Sequence, residues 1–275
     1  MSIKITTLSE NTATIGCLGE WGLSMLVTSE NSNILMDTGA TITAAHNAEV
    51  LGVDLSRVDK IVLSHGHFDH TGGLREVLRK TGEVEVIAHP DIWTPKYARV
   101  DERQFYVGIP YQRLELESLG AQFRLERGPV ELGDRMMTTG EVPMNTDFES
   151  LDEDVFVLEG GTLRQDPLAD DLSLIIQSEE GLIVVLGCAH RGIINTIKRA
   201  QNLTGTSTVY AAIGGAHLFR ASEYQVERTI GALKEMGIKK LGLSHCTGIP
   251  AVTRLFQEIK DGVFLNNAGT RITLP

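Results

Sequence analysis

The sequence predicts a single-domain α/β fold. Short apolar and β-branched runs recur along the chain, helical patterns alternate with them, and polar residues stand where the strands are expected to end. No Ser- or Gly-rich linker, low-complexity tract or short-period repeat divides the sequence, so one domain spanning 1–275 is predicted. With 42% hydrophobic and 22% charged residues, the chain has the composition of a globular protein with a substantial core.

Glycine, proline and polar residues mark the boundaries of the predicted elements. The predicted strands are 25–28, 34–36, 60–63, 84–88, 172–177, 182–186, 209–213 and 241–243, and the predicted helices are 43–51, 73–80, 193–201 and 223–236. The order is repeatedly strand, polar loop and helix. Polar groups are therefore expected to collect at the carboxyl ends of the strands, where sites of open α/β sheets form.

One segment, 91–127, is less regular. It carries the aromatic residues Trp93, Tyr97, Phe105, Tyr106 and Tyr111. We interpret it either as a helical lid or substrate-facing insertion, or as a surface excursion that packs on the core. Two isolated histidines, His46 in a helical pattern and His89 before Pro90, are interpreted as structural or surface residues.

The acidic balance of the chain limits its partners. It has 36 acidic and 25 basic residues, a formal net charge of −11. Nucleic-acid backbones and anionic membranes reward clustered Lys and Arg, so neither is expected as the main partner. We expect a small-molecule substrate, which can be anionic because a bound metal ion reverses the local sign of the field. A homo-oligomer is left open.

The sequence also carries signals of location. The first residues, MSIKITTLSE, lack the basic and apolar regions of a signal peptide. The apolar run 181–186 is far too short to cross a bilayer. The three cysteines, Cys17, Cys188 and Cys246, do not make a disulfide framework. A reducing, cytoplasmic location is therefore expected.

The most informative motif is the histidine cluster His65, His67, Asp69 and His70, which follows the predicted strand 60–63. Imidazole nitrogens and carboxylate oxygens are the ligands that zinc, iron and manganese accept. In an extended loop, His65 and His67 project to the same side and can bind one ion. Asp69 and His70 fall on the turn into the next helix and can bind a second. The alternative is a histidine-rich surface loop without metal, which this spacing after a buried strand disfavours.

This HxHxDH pattern resembles the metallo-β-lactamase superfamily. The resemblance implies an αββα four-layer sandwich with a mono- or binuclear metal site along one edge. It covers nearly the whole chain, and the segments 19–24, 35–39, 63–74, 186–195, 213–218 and 244–248 are similar to the branch of dihydropterin-ribofuranosylaminobenzene phosphate synthase-like proteins. One departure is Trp21, which stands where the family implies a histidine.

The resemblance also implies ligands from later strand ends. The superfamily's bridging ligand, usually Asp and in some lactamases Cys, falls at Cys188, and nearby His190 is favoured as a metal ligand with Cys188 as a further ligand or its support. His245 matches the last histidine and is expected to complete the second ion's set; the alternative is a histidine bonded to a strand-end carbonyl. His217 is implied as an active-site residue, and its role as ligand, substrate contact or proton donor stays open.

The middle histidine of the superfamily is not found at its expected place, 138–143. Glu141 is a candidate oxygen ligand there, or the first metal keeps an open position. Asp37 is expected to accept a hydrogen bond from a ligand imidazole, with a turn or helix cap as the alternative. Of Asp170 and Asp171, the second is the preferred functional candidate; the alternative is a strand cap.

We therefore predict a metal-dependent hydrolase with one or two divalent ions, zinc in the first place and iron or manganese as alternatives. A bound ion lowers the pKa of water towards about 7. Asp69 is predicted as ligand and general base, and His217 or His245 as the group that protonates the leaving group or stabilises an oxyanion. Arg191 is a candidate for binding a substrate carboxylate or phosphate.

Other functional classes are less well supported. Diiron flavoprotein oxidoreductases carry the motif HxExDH, with glutamate where His67 stands, and a flavodoxin-like domain follows; His67 points away from this class, and no flavodoxin-like domain is expected after Pro275. A non-catalytic binding or sensor protein stays open because of the missing middle histidine. A nuclease would need a basic surface and an RNA-binding arm, and a true β-lactamase would be expected to carry a signal peptide.

Overall fold

A computed structural model describes residues 2–275 and shows a mixed α/β structure, as predicted. The strands are β1 Ile3–Ser9, β2 Ser24–Thr28, β3 Asn33–Met36, β4 Lys60–Val62, β5 Val84–Ala88, β6 Lys96–Val100, β7 Arg103–Tyr106, β8 Ala121–Leu125, β9 Glu131–Gly133, β10 Met136–Thr138, β11 Val155–Glu159, β12 Thr162–Gln165, β13 Ser173–Ser178, β14 Gly181–Leu186, β15 Val209–Gly215, β16 Lys240–Ser244 and β17 Arg271–Leu274. The helices are α1 Thr43–Val50, α2 Phe68–Thr71, α3 Leu74–Thr81, α4 Arg113–Ser118, α5 Ile193–Thr204, α6 Glu223–Glu235 and α7 Ile249–Glu258, with 3-10 helices at Leu55–Arg57, Pro90–Trp93 and His245–Thr247.

Two large mixed sheets form the centre of the molecule. The first has the strand order β17-β1-β2-β3-β4-β5-β8, and its strands β3, β4, β5 and β8 are parallel. The second has the order β16-β15-β14-β13-β10-β9, with β14, β15 and β16 parallel. A third, antiparallel sheet has the order β12-β11-β6-β7. The parallel parts of the two large sheets supply the strand ends on which polar groups were expected.

Side chains alternate between two faces of each large sheet, which is how the layers are held together. In β14, Leu182, Val184 and Leu186 pack with α5, α6 and α7, while Ile183 and Val185 pack between the sheets. The first sheet behaves likewise, with one face against the second sheet and the other against α1, α3 and α4. The layers follow the order α, β, β, α, so the predicted four-layer sandwich is confirmed.

The irregular segment 91–127 contains more strand than helix. It forms the hairpin β6–β7, the six-residue helix α4 and the strand β8. The hairpin pairs with β11 in the third sheet, and β8 extends the first sheet. All four residues of β7 are exposed, so no apolar alternation marks this strand in the sequence.

A buried lysine connects the third sheet to the histidine motif. Lys96, in β6, is 1% exposed, and its Nζ lies 2.7 Å from Asp166 Oδ2 and 3.0 Å from Asp170 Oδ1. Asp170 in turn accepts a hydrogen bond from the backbone N–H of Gly66 at 2.9 Å. Gly66 is packed too tightly for a side chain, since a Cβ there would lie 2.5 Å from the carbonyl oxygen of Ile92. The loop of the motif is thus fixed by a buried ion pair.

The helices are short, and the longest, α6, has 13 residues. Within residues 2–275, none combines the length and the apolar character that crossing a membrane requires.

We predict that Lys96→Met destabilises the protein by about 3–5 kcal/mol, because it leaves two carboxylates buried without their cation. The free energy of unfolding in denaturant measures this effect. The matched control is Lys60→Met, which breaks the ion pair between Lys60 and Glu85. Both side chains of this pair are about one-third exposed, so the loss of stability is expected to stay below about 1 kcal/mol. Equal losses in the two variants would contradict the role given to Lys96.

Candidate metal centre

The candidate site lies where parallel strands of both large sheets end. β3 leads to Asp37, β4 to Ser64 and His65, β14 to Cys188, β15 to His217 and β16 to His245. Four non-glycine residues at these ends have left-handed backbone, with φ of 59° at Asp37, 50° at Ala189, 44° at His217 and 53° at His245. Such a conformation is unfavourable for most L-residues and persists where the surrounding contacts hold it. The chain turns sharply at these positions and brings its side chains together.

His65, His67 and His190 form the first group of potential ligands. Their donor atoms all lie within 4.8 Å of one another. His65 Nε2 lies 2.9 Å from His67 Nδ1 and 3.2 Å from His190 Nε2. His190, from the end of β14 where the resemblance implied a ligand, thus adds a third imidazole to the group of His65 and His67.

Asp69, His70 and His245 form the second group, again with donor atoms within 4.8 Å of one another. Asp69 Oδ2 lies 3.3 Å from His245 Nε2 and 3.8 Å from His70 Nε2. Cys188 Sγ lies 3.1 Å from His70 Nε2 and also groups with His65 and His70. Cys188 is thus adjacent to both groups, and the structure brings Cys188 and His190 into one cluster.

Burial and neighbouring charges set the protonation of these residues. Burial lowers the pKa of His65 and His190 well below the usual value and that of His67 to about 4, so all three are neutral, as metal ligands must be. For His70, burial acts in the same direction, but the Asp37 and Asp69 carboxylates outweigh it and raise the pKa to about 9. For Asp69, burial is outweighed by His70 and His245, which lower the pKa below its usual range.

Asp37 supports the site from behind. Its Oδ2 accepts hydrogen bonds from His70 Nδ1 and Ser64 Oγ, both at 2.7 Å, and its Oδ1 accepts the Ser64 backbone N–H at 2.7 Å. With Nδ1 donating to Asp37, His70 presents Nε2 to the cluster. Carboxylate–imidazole pairs of this kind orient ligand histidines in metal sites.

Asn11 and Glu10 support His245 by hydrogen bonds, as Asp37 supports His70. Asn11 Oδ1 lies 2.9 Å from His245 Nδ1, and Glu10 Oε1 accepts the His245 backbone N–H at 2.8 Å. These residues follow β1, more than 230 positions away along the chain. No local pattern could have linked them.

The donor set fits a divalent metal ion. His65 Nε2 has two imidazole nitrogens within 3.2 Å, and its one lone pair or proton satisfies only one of them. His67 Nε2 and His245 Nε2 are buried without a hydrogen-bond partner. Converging nitrogens, a carboxylate and a thiol are the usual surroundings of such ions. The residues present can hold one or two of them.

Two predicted residues lie in other surroundings. Glu141 pairs with His89 Nε2 and Arg127 Nη1, both at 3.0 Å, and belongs to none of the ligand groups found in residues 2–275. The expectation that Glu141 lies beside the first ion's ligands is therefore wrong for this structure, in which His190 is grouped with His65 and His67. The Arg191 guanidinium donates to the carbonyl of Pro167 at 2.7 Å and does not line the pocket described below.

His217 and Asp171 are both near the cluster. His217 lies with its ring 4.0 Å from that of His190, and its Nε2 is 3.3 Å from Asp152 Oδ2. Burial opposes protonation of His217, but the Asp152 carboxylate and the Cys246 thiol raise its pKa to about 9. Asp171 Oδ2 accepts the Arg191 backbone N–H at 3.1 Å, and burial raises the Asp171 pKa to about 7.

The cluster opens into a pocket of about 150 Å³. Its wall combines ligand residues, the β6–β7 hairpin, polar groups and three aromatic side chains: His67, Asp69, Cys188, His190, His217, Cys246, Ala98, Val107, Val155, Asp152, Asp154, Arg220, Trp21, Phe68 and Phe219. The Trp21 ring lies 5.1 Å from His245 and 5.9 Å from Phe219. Trp21 thus lies at the site even though it departs from the family pattern.

Comparison with known proteins agrees with this geometry. Residues 22–245 match the family model of the metallo-beta-lactamase superfamily. The chain belongs to this superfamily, which confirms the resemblance inferred from HxHxDH.

Individual relatives cover the whole chain. A 7,8-dihydropterin-6-methyl-4-(beta-D-ribofuranosyl)-aminobenzene-5'-phosphate synthase of Methanocaldococcus jannaschii is 34% identical over 98% of this chain and 95% of its own. The solved structure of Tm1679, a metal-dependent hydrolase of the β-lactamase superfamily, is 29% identical with a TM-score of 0.85, covering 98% of both chains. A diphosphatase of the PhnP family, 16% identical over 100% of this chain and 98% of its own with a TM-score of 0.57, shares the fold.

We predict that Asp37→Asn weakens metal binding about 10- to 100-fold, because an amide does not reproduce the carboxylate's bond to His70. Competition with a chelator measures the affinity. The control is Asp59→Asn, an exposed carboxylate that accepts a backbone N–H from Asn33. If the two variants bind metal equally well, Asp37 does not support the site in this way.

Proposed function

We propose that this protein is a metal-dependent hydrolase acting on a small substrate that bears a phosphate or carboxylate group. The observation that supports this most directly is the pair of adjoining ligand groups, one around His65 and one around Asp69, that open into one pocket. Adjoining metal positions are the arrangement in which water and a polarised substrate group are held side by side.

The chain's own residues have distinct parts in this reaction. His65, His67 and His190 would hold one ion, and Asp69, His70 and His245, with Cys188 between the groups, a second. Zinc is the proposed metal, since it accepts imidazole, carboxylate and thiolate together. When bound, such an ion supplies a Lewis acid and makes water acidic enough to react near neutral pH.

Proton transfer falls to Asp69 and His217. Asp69 remains ionised beside His70 and His245 and lines the pocket, so it can accept the proton of the attacking water. His217 also lines the pocket, and its hydrogen bond to Asp152 favours the protonated imidazole. We propose that the protonated His217 donates its own imidazolium proton to the leaving group, while Asp69 passes the proton of the attacking water to solvent and His217 is reprotonated from solvent.

The rest of the pocket suggests how a substrate is held. Arg220 lines it, whereas Arg191 does not, so Arg220 is the proposed contact for a substrate anion. Its Nη1 lies 3.1 Å from Asp154 Oδ2 in an exposed ion pair, which contributes little to stability. A substrate anion could therefore replace Asp154 as the partner of Arg220 at little cost in free energy. Trp21, Phe68 and Phe219 offer faces for a flat or apolar group. We also propose a cytoplasmic location, because the three cysteines are free thiols.

A synthase reaction is the second candidate. It is favoured by the 34% identity to the dihydropterin-type synthase of Methanocaldococcus jannaschii, which extends over 98% of this chain. The aromatic side chains of the pocket also suit a ring-containing substrate. In such a reaction an organic acceptor would replace water as the attacking group. Carrying out the reaction in oxygen-18 water separates the two, because only hydrolysis places the label in the product.

We predict that His67→Ala lowers both metal content and activity by at least about 100-fold. Losing only a residue that hydrogen-bonds a metal ligand already lowers metal affinity or activity by about 10- to 100-fold. Activity would be found by a screen of phosphodiesters, lactones, thioesters and pterin phosphates, and metal would be measured by elemental analysis. His46→Ala, a histidine of α1 away from the ligand groups, is the control and should retain both. Full metal content and activity in His67→Ala would overturn the hydrolase proposal.

We predict that His217→Gln lowers kcat about 10²- to 10⁴-fold, the usual contribution of a proton donor, while metal content stays unchanged. Steady-state kinetics and elemental analysis on the same preparation give both values. Because His217 also groups with Cys188 and His190, the metal measurement separates its two roles. Loss of metal in parallel with activity would make His217 a ligand instead.

A further inference from the structure

Cys246 is a buried thiol beside the second ligand group that has no part in the reaction proposed above. It follows His245 directly and is 2% exposed. Its Sγ, the Sγ of Cys188 and a nitrogen of His245 all lie within 4.8 Å of one another. Cys246 thus adds a second sulfur to a cluster whose other donors are the histidine nitrogens, the Asp69 carboxylate and the Cys188 sulfur.

The surrounding backbone makes room for this sulfur. A Cβ on Gly215, at the end of β15, would lie 2.7 Å from Cys246 Sγ and 3.2 Å from the Cα of Cys188. The same Cβ would lie 2.5 Å from the carbonyl oxygen of Gly187, so the glycine allows both the backbone of β14 and the Cys246 sulfur to approach β15 closely. The space is occupied by sulfur rather than by the side chain of a strand residue.

Cys246 Sγ has two long hydrogen bonds to backbone groups. As a thiol it donates to the carbonyl oxygen of Cys188 at 3.6 Å. The backbone N–H of His217 donates to it at 3.3 Å. Close by, His245 Nε2 lies 3.3 Å from Asp69 Oδ2 but has no partner in hydrogen-bond geometry, and His245 is only 3% exposed. A buried sulfur that accepts an N–H, beside an unpartnered imidazole nitrogen and a second sulfur, has the donor chemistry of a metal ligand.

We propose that Cys246 is a further metal-binding residue, which binds a thiophilic divalent ion together with Cys188 and His245. This rests on the metal-dependent function proposed above and extends it to the choice of metal. On binding, the Cys246 thiol loses its proton to solvent and the sulfur shares its electron pair with the ion. Two sulfurs favour zinc over manganese or magnesium, which prefer oxygen ligands.

The test uses the full chain, stripped of metal under reducing conditions and loaded with cobalt(II). Bound thiolates give sulfur-to-cobalt charge-transfer absorption, which does not depend on catalysis. The variants are Cys246→Ser and Cys188→Ser, with Cys17→Ser as the matched control, since Cys17 is a free thiol outside the ligand groups. We expect the charge-transfer absorption per bound cobalt to fall by roughly half in each of the first two variants and to stay unchanged in Cys17→Ser.

A second measurement concerns metal choice. Competition between zinc and manganese should show a preference for zinc that falls by about tenfold or more in Cys246→Ser. If absorption and preference in Cys246→Ser both equal those of Cys17→Ser, Cys246 is not a ligand. Wild-type protein that binds cobalt without any thiolate absorption leads to the same conclusion, whereas wild-type protein that binds no divalent ion removes the proposed function as well.

A misfolded Cys246→Ser variant would not prevent the test, because the wild-type chain can be loaded with cadmium. The NMR resonance of cadmium moves further downfield with each sulfur bound. A shift typical of two sulfurs supports the proposal. A shift typical of one or none overturns it.

Discussion

The buried carboxylate of Asp37 is the interaction on which the site depends. It is inaccessible to solvent and accepts three hydrogen bonds, two from Ser64 and one from His70. A carboxylate in such a place is costly unless donors compensate it. The ends of β3 and β4 and the short helix α2 must therefore meet at one point. Once they do, the loop between Ser64 and His70 has little freedom, and three of its side chains face the same space.

The sequence was sufficient for those parts of the structure that local patterns encode. Short apolar, β-branched runs marked the central strands, and the spacing from His65 to His70 indicated the superfamily and a set of candidate ligands. It failed where tertiary contacts decide. His190 was an expected ligand, but its contact with His65 could not be foreseen, because it depends on β14 ending beside the loop that follows β4. Glu141 was expected near the metal and instead pairs with His89 and Arg127. The β6–β7 hairpin was missed because an exposed strand has no apolar period.

Precision at the site has a conformational cost. Asp37, Ala189, His217 and His245 all adopt left-handed backbone, each at about 1–3 kcal/mol. Contacts nearby offset it. Glu10 and Asn11 bond the backbone and ring of His245, and Lys96 fixes the loop of the histidine motif through Asp170. Residues far apart in the chain thus stabilise turns that their own sequences would not choose.

The distribution of ligands along the chain has a consequence for the cooperativity of unfolding. His65, His67, Asp69 and His70 come from the first large sheet, and His190 and His245 from the second. An ion held by both sets of residues would bind only to the state in which the two sheets are packed against each other. Its binding free energy is then added to the free energy that keeps the two halves of the sandwich together. The metal site and the interface between the sheets are thermodynamically one unit.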